Sequence, residues 1–267
     1  MPEEVRAADL DKAARGELRT LSKENAEAVA RHLVMASRLI EDDAAEAHRH
    51  ALAAGRRAGR VAVVRESVAI TAYAVGDFAL ALRELRTFRR ISGSDDQIAL
   101  MVDSERGVGR PDRALELGRS VDRGSLPLEA QVGLAIAMSG ARLDQGDAAG
   151  ALDELELAPV DLQRVHPWSA GLFGAFAAVH EDLGDETAAA LWQGRADRVE
   201  DLLDAVDEED GTIDVRTEEA PEESPTGQSS SPEPGTGEPH AETPPADEAV
   251  AEERPVDRGD APAAGGD

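Results

Sequence analysis

His180, Glu181 and Asp182 are the adjacent side chains with the clearest capacity for chemistry. An imidazole beside two carboxylates can bind a metal ion or transfer a proton. No third ligand is identifiable, and His48 and His50 are two apart on a predicted helix, so they cannot chelate one ion together. We predict no catalytic residue, no metal and no cofactor. The alternative is an enzyme or a metal- or ligand-binding helical domain with a site near His180.

Arginines form a second group with a recognisable pattern. Arg83, Arg86 and Arg90 are spaced i, i+3, i+7 and therefore share one face of a predicted helix. This face could bind an anion, such as an acidic segment of a partner, or it could simply be solvated. The chain has 55 acidic and 28 basic residues, and its net charge of −27 opposes binding to a polyanion. We therefore expect no nucleic-acid partner, and an RNA-binding helical array is the least favoured function.

The composition excludes other sites and indicates the fold class. The chain has no cysteine, so disulfides, thiolate metal sites and a cysteine nucleophile are excluded. No serine has the G-x-S-x-G context of a nucleophile elbow. Aromatic residues make up only 3%, and alanine dominates the apolar residues. Close packing of helices through small residues suits this composition better than a β-core does.

A repeated pattern organises the elements that carry these residues. An alanine follows a glycine by five residues in four copies, and an earlier copy lacks the glycine; the alanines are Ala47, Ala81, Ala114, Ala151 and Ala189. Their spacings are 34, 33, 37 and 38 residues. A recurrence near 34 residues is typical of stacked helical hairpins, each of which needs its neighbours to bury its apolar face. The sequence predicts an all-α fold of about five hairpins.

Helix boundaries follow from apolar periodicity and capping residues. We predict a lead-in helix over residues 9–20, with Asp9 as its N-cap, and a longer helix from Ser22 to about Ile40. The later helices are predicted at Ala44–Ala58, Val61–Val75, Phe78–Ile91, Ile98–Val108, Pro111–Val121, Leu128–Asp144, Ala148–Leu157, Trp168–Leu183 and Thr187–Val206. The connections are short, so neighbouring helices should be antiparallel.

Over roughly residues 28–205 the pattern resembles the tetratricopeptide-repeat family, and is similar to divergent arrays of high-GC bacteria. The five alanines occupy one family position, and the turn position holds Gly76, Gly109, Gly146 and Gly184. Phe78 matches the large residue that plugs the turn, whereas the family's early tryptophan and first-helix tyrosine are missing. The resemblance implies a right-handed α-solenoid whose concave surface, formed by the first helix of each hairpin, grips a peptide or another protein.

The same resemblance implies which side chains would contact a partner. The first-helix positions that face the groove include Glu66, Tyr73, Asp103 and Arg106. Arg106 could bind a partner carboxylate, and Tyr73 offers a large face with one polar tip. Alternatively, Tyr73 packs between repeats and Arg106 is solvated or paired within the chain. We predict a non-enzymatic scaffold or adaptor that binds a protein or peptide.

The composition changes sharply near Val206. Residues 206–267 hold 19 acidic and 3 basic residues, nine of the fourteen prolines and no aromatic residue. Such a segment cannot bury enough apolar surface to offset the entropy of ordering it, so we predict a disordered acidic tail. This tail would follow a lead-in segment at 1–27 and a repeat domain at 28–205. It could contact the Arg83–Arg86–Arg90 face within the chain, or it could serve solubility alone.

The apolar residues also bear on location. The first residues carry acids and no apolar core of the kind found in secretory signals. No run of 18 apolar residues is present. We therefore expect a cytoplasmic protein with no membrane partner.

Overall fold

Helices account for the regular structure of the described chain. The structure, a computed structural model, describes residues 1–2, 4–160 and 164–208, the last three of these by their backbone alone. Within these ranges there is no β-strand, so the predicted all-α class is confirmed. The helices are α1 (Lys12–Glu17), α2 (Lys23–Leu39), α3 (Ala44–Ala58), α4 (Ala62–Ala74), α5 (Phe78–Ser92), α6 (Ile98–Gly107), α7 (Pro111–Arg119), α8 (Leu128–Leu143), α9 (Ala148–Glu156), α10 (Ser169–Asp182) and α11 (Glu186–Glu208).

The predicted boundaries of α3 to α11 agree with the structure to within two residues. The lead-in helix differs, because α1 begins after Asp11 rather than after Asp9. The Asp11 carboxylate accepts hydrogen bonds from the backbone N–H groups of Ala13 and Ala14, which are free at a helix start. Asp9 instead accepts from the N–H of Arg6 and ends a short 3-10 turn.

Four turns repeat one geometry, and each joins the two helices of a hairpin. Gly76 has a φ of 78°, a left-handed conformation that costs glycine nothing, and the other three turn glycines match it with φ of 73–76°. The residue after each glycine donates its N–H to a carbonyl five residues earlier; for Asp77 and Ala72 the distance is 2.8 Å. The equivalent pairs are Arg110 and Glu105, Asp147 and Arg142, and Asp185 and His180. The repeat seen in the sequence is therefore a repeat of turn structure.

Each hairpin packs its two helices together, and in the first four hairpins the second helix also contacts the hairpin that follows. The pairs are α2–α3, α4–α5, α6–α7, α8–α9 and α10–α11. The first four repeated alanines are completely buried, because their small side chains let neighbouring helices approach closely. Ala189 is only partly buried, since no described hairpin follows α11.

The lead-in segment is fastened to the first helices of the first two hairpins. Leu18 is buried in the core that α2, α3 and α4 share. The Glu17 carboxylate accepts a hydrogen bond of 2.9 Å from the N–H of Val63, in the first turn of α4. Arg31 of α2 donates to the carbonyl oxygens of Val5 and Pro2 at 2.7 and 2.9 Å. The lead-in segment therefore crosses from α2 to α4.

Two further expectations concern the ends and the membrane. The tail predicted for residues 206–267 lies outside the described residues, apart from 206–208, which belong to α11. Its proposed contact with the arginine face lies outside them as well. Among the helices that are described, none combines the length and apolar character needed to cross a bilayer.

Candidate functional site

Three of the four predicted groove residues lie in one hydrogen-bonded network. The Tyr73 hydroxyl on α4 donates to Asp103 on α6. Arg106, one turn further along α6, donates to Asp103 at 2.5 Å and makes two hydrogen bonds of 2.8 and 3.1 Å to the Asp144 carboxylate. The network therefore links α4, α6 and the end of α8.

This network occupies the polar atoms that were expected to bind a partner. Burial, together with the hydrogen bond to Asp103 and the negative charge of Asp103, raises the pKa of Tyr73 to about 12. The guanidinium of Arg106 is neutralised by Asp103 and Asp144. Tyr73 also packs edge to face against Phe78, with 5.4 Å between the ring centres. In the structure, therefore, Tyr73 packs against neighbouring helices and Arg106 forms ion pairs within the chain.

Glu66, the fourth residue, lies apart from that network in an apolar pocket of about 280 Å³. One wall is formed by α2 and the other by α4, while Leu10 of the lead-in segment adds to the lining. The lining residues are Leu10, Leu33, Ala36, Ser37, Ile40, Val63, Glu66, Ser67, Ile70 and Thr71. On each helix they follow the i, i+3, i+4, i+7 pattern of one helical face, so they form one stripe along the helix. Apolar walls with a few polar groups are typical of ligand sites.

The Glu66 carboxylate is half-buried and has no cationic partner among the described residues. Its Oε1 accepts a hydrogen bond of 2.7 Å from the Gln97 side-chain amide on α6. Burial raises its pKa; the Gln97 hydrogen bond opposes this, and the negative charges of Glu17 and Asp96 raise the pKa further. The charges that act on Glu66 are therefore both negative, and a cation placed here would meet no repulsion from them.

The predicted arginine face is largely used for ion pairs inside the protein. Arg83 donates to Glu84 at 3.0 Å, and Arg86 donates to Glu105 at 2.6 Å. Both carboxylates are buried, so these arginines help to neutralise charges in the core, together with Arg65 at Glu84 and Arg110 at Glu105. Arg90 is exposed and forms no ion pair with a described residue. Only one of the three predicted cations is thus free of a carboxylate in the described structure.

The histidines of α2, α3 and α10 do not converge on one site. The His180 side chain lies 4.0 Å from the Asp185 carboxylate, while Glu181 and Asp182 are exposed. His50 faces His32 across α2 and α3, with 2.9 Å between their Nδ1 atoms, whereas His48 contacts the Thr71 hydroxyl. In the part of the chain that the structure describes, no three histidine or acidic side chains converge as a metal site would require.

The sequence matches no protein-family model and no curated protein.

The sequence predicts Glu66 on the surface of a first helix, but it does not predict the pocket around this residue. Apolar periodicity marks Leu33, Ala36 and Ile40 as one stripe of α2, but it does not say which part of that stripe stays uncovered. Leu10 reaches the pocket only because the lead-in segment folds back over α2 and α4.

Proposed function

We propose that this protein is a non-enzymatic interaction module that binds a segment of a protein on the surface of its first helices. In this proposal the five hairpins stack as a right-handed α-solenoid, as in the tetratricopeptide-repeat family that the sequence resembles. The partner would lie across α2, α4 and the first helices that follow them.

The observation that carries this proposal is the open apolar pocket between α2 and α4. Its volume of about 280 Å³ is just below the roughly 300–1,000 Å³ of pockets for drug-sized ligands. A pocket of this size suits one protruding side chain better than a whole cofactor. Its position between consecutive first helices supports the proposal, because helical repeat proteins bind extended partners along such a surface.

A selection from a random peptide display library on the full chain tests the proposal. We expect recovered peptides to share a sequence pattern and to bind in solution with a measurable Kd. The substitution Ser37→Trp, at an exposed position on the pocket wall, should abolish binding because indole would fill the pocket. Ala79→Trp introduces the same side chain at an exposed position of α5, a second helix, and should leave binding unchanged.

Two results would contradict the proposal. A library that yields no common pattern argues against a peptide-binding function. Peptides whose affinity falls with Ala79→Trp and not with Ser37→Trp would place binding on the second helices instead. Circular dichroism of both variants checks that each retains the helical content of the parent chain.

A further inference from the structure

The buried and half-buried glutamates of the hairpins differ in one respect. Glu84, Glu105 and Glu154 each form an ion pair with an arginine at 2.5–2.6 Å. Glu66 has only the neutral Gln97 amide within hydrogen-bonding distance, although its carboxylate is half-buried too. Burying a charged carboxylate without a cation beside it costs free energy, and at the other three positions an arginine offsets this cost.

The pocket beside Glu66 is open to a partner and mostly apolar. Leu33, Val63 and Ile70 supply aliphatic surface from both helices. Ser37 and Ser67 also line the pocket, and a serine hydroxyl can accept a hydrogen bond. The site therefore combines aliphatic walls with one negative charge and two neutral acceptors.

We propose that this pocket binds a lysine side chain of a partner peptide, with the ammonium group at the Glu66 carboxylate and the aliphatic stem against Leu33, Val63 and Ile70. The inference rests on the proposed function, because it names the chemistry of the peptide that the same surface binds. The partner's cation would then supply the missing counter-charge of Glu66.

Lysine suits the pocket better than other side chains do. Its stem of four methylene groups packs against apolar surface while its charged end reaches a polar group. Its ammonium group has three donors, of which one or more can bind the Glu66 carboxylate while the others remain for neutral acceptors. Arginine is best recognised by a carboxylate with both oxygens available, and Oε1 of Glu66 already accepts from Gln97. A purely aliphatic side chain would fill the walls and leave Glu66 without a cation.

Parallel library selections on the parent chain and on Glu66→Gln test this inference. Glutamine keeps the size of the side chain and the hydrogen bond to Gln97 but removes the charge. We expect lysine to be enriched at one peptide position with the parent chain and not with Glu66→Gln. A recovered lysine peptide should bind the variant about tenfold more weakly, equivalent to about 1.4 kcal/mol. Glu200→Gln, at an exposed position of α11, removes the same charge and should leave affinity unchanged.

The outcomes separate this inference from the proposed function. Peptides that bind through the pocket with no lysine enrichment, or with equal enrichment on Glu66→Gln, would overturn the lysine proposal and keep the interaction function. Enrichment of arginine instead would also overturn it. A selection that recovers nothing would count against the interaction function alone, and a second measurement then decides on the pocket.

That measurement is a titration of the full chain with N-acetyl-lysine amide, followed by methyl NMR. We expect shifts at the Val63 and Ile70 methyl groups that are lost in Glu66→Gln, and no comparable shifts with N-acetyl-norleucine amide, which lacks the ammonium group. Equal shifts with both compounds, or no shifts with the lysine compound, would overturn the proposal.

Discussion

Gly107 provides the sharpest test of how the hairpins pack. It is the last residue of α6, and a Cβ built on it would lie 2.4 Å from Cγ and from Cδ2 of the Phe78 ring. A rotation of the ring cannot relieve this clash, because Cγ is the atom that joins the ring to Cβ, and Tyr73 packs against the ring. The substitution Gly107→Ala should therefore force the first residue of α5 to move.

Two opposing contributions set the change in the free energy of unfolding of Gly107→Ala. Alanine is preferred over glycine in a helix by at most about 1 kcal/mol, and less at a helix end. Overpacking costs about 1–3 kcal/mol, so Gly107→Ala should lower the free energy of unfolding by about 1–2 kcal/mol. For a domain of this size, each kcal/mol shifts Tm by about 2–4 °C. Thermal unfolding followed by circular dichroism should show a Tm lower by about 2–8 °C.

Gly174→Ala is the matched control. Gly174 lies inside α10, and a Cβ there would meet no atom within 4 Å. The same chemical change should raise Tm by about 2–4 °C, because only helix preference remains. In a Phe78→Leu background Gly107→Ala should lose most of its cost, as expected for two residues in contact. A rise in Tm for Gly107→Ala, or an unchanged cost in that background, would refute the reasoning.

Three further predictions concern charge and protonation. Arg86→Ala should lower the free energy of unfolding, measured in urea, by about 2 kcal/mol, because it leaves the buried Glu105 without its closest partner. Arg90→Ala should change this free energy little, and equal effects of the two substitutions would contradict the ion-pair assignment. Tyr73 is the only tyrosine, so tyrosinate absorbance after a rapid pH jump should show a pKa of about 12, and a midpoint near 10 in the folded chain would contradict its burial. Burial, then the charge of His50, lowers the pKa of His32, so the unfolded chain takes up a proton that the folded chain excludes. The contribution of His32 to the free energy of unfolding should be fully present above about pH 7 and should decrease as the pH falls below about 6.5. A His32→Gln variant whose Tm depends on pH as that of the parent chain does would contradict this.

Local signals in the sequence determined the helices and their turns. The glycine at each turn marks the left-handed residue. At three of the four turns an aspartate follows it and caps the next helix, as Asp77 does for the N–H of Leu80, whereas Arg110 follows Gly109 and makes no capping hydrogen bond. These are contacts between residues a few positions apart, so spacing and residue type suffice to predict them. The α1 boundary was wrong because Asp9 and Asp11 are both suitable caps, and only the backbone decides between them.

The tertiary structure alone decided which polar side chains remain available. Arg86 and Arg90 are equally basic in the sequence, yet Arg86 meets a buried carboxylate 19 positions away and Arg90 does not. Glu66 and Glu84 are equally acidic, and only Glu84 lies where an arginine reaches it. Such pairings depend on how one helix packs against the next, because an ion pair in the core needs both partners within about 4 Å, and no spacing along the chain encodes that distance.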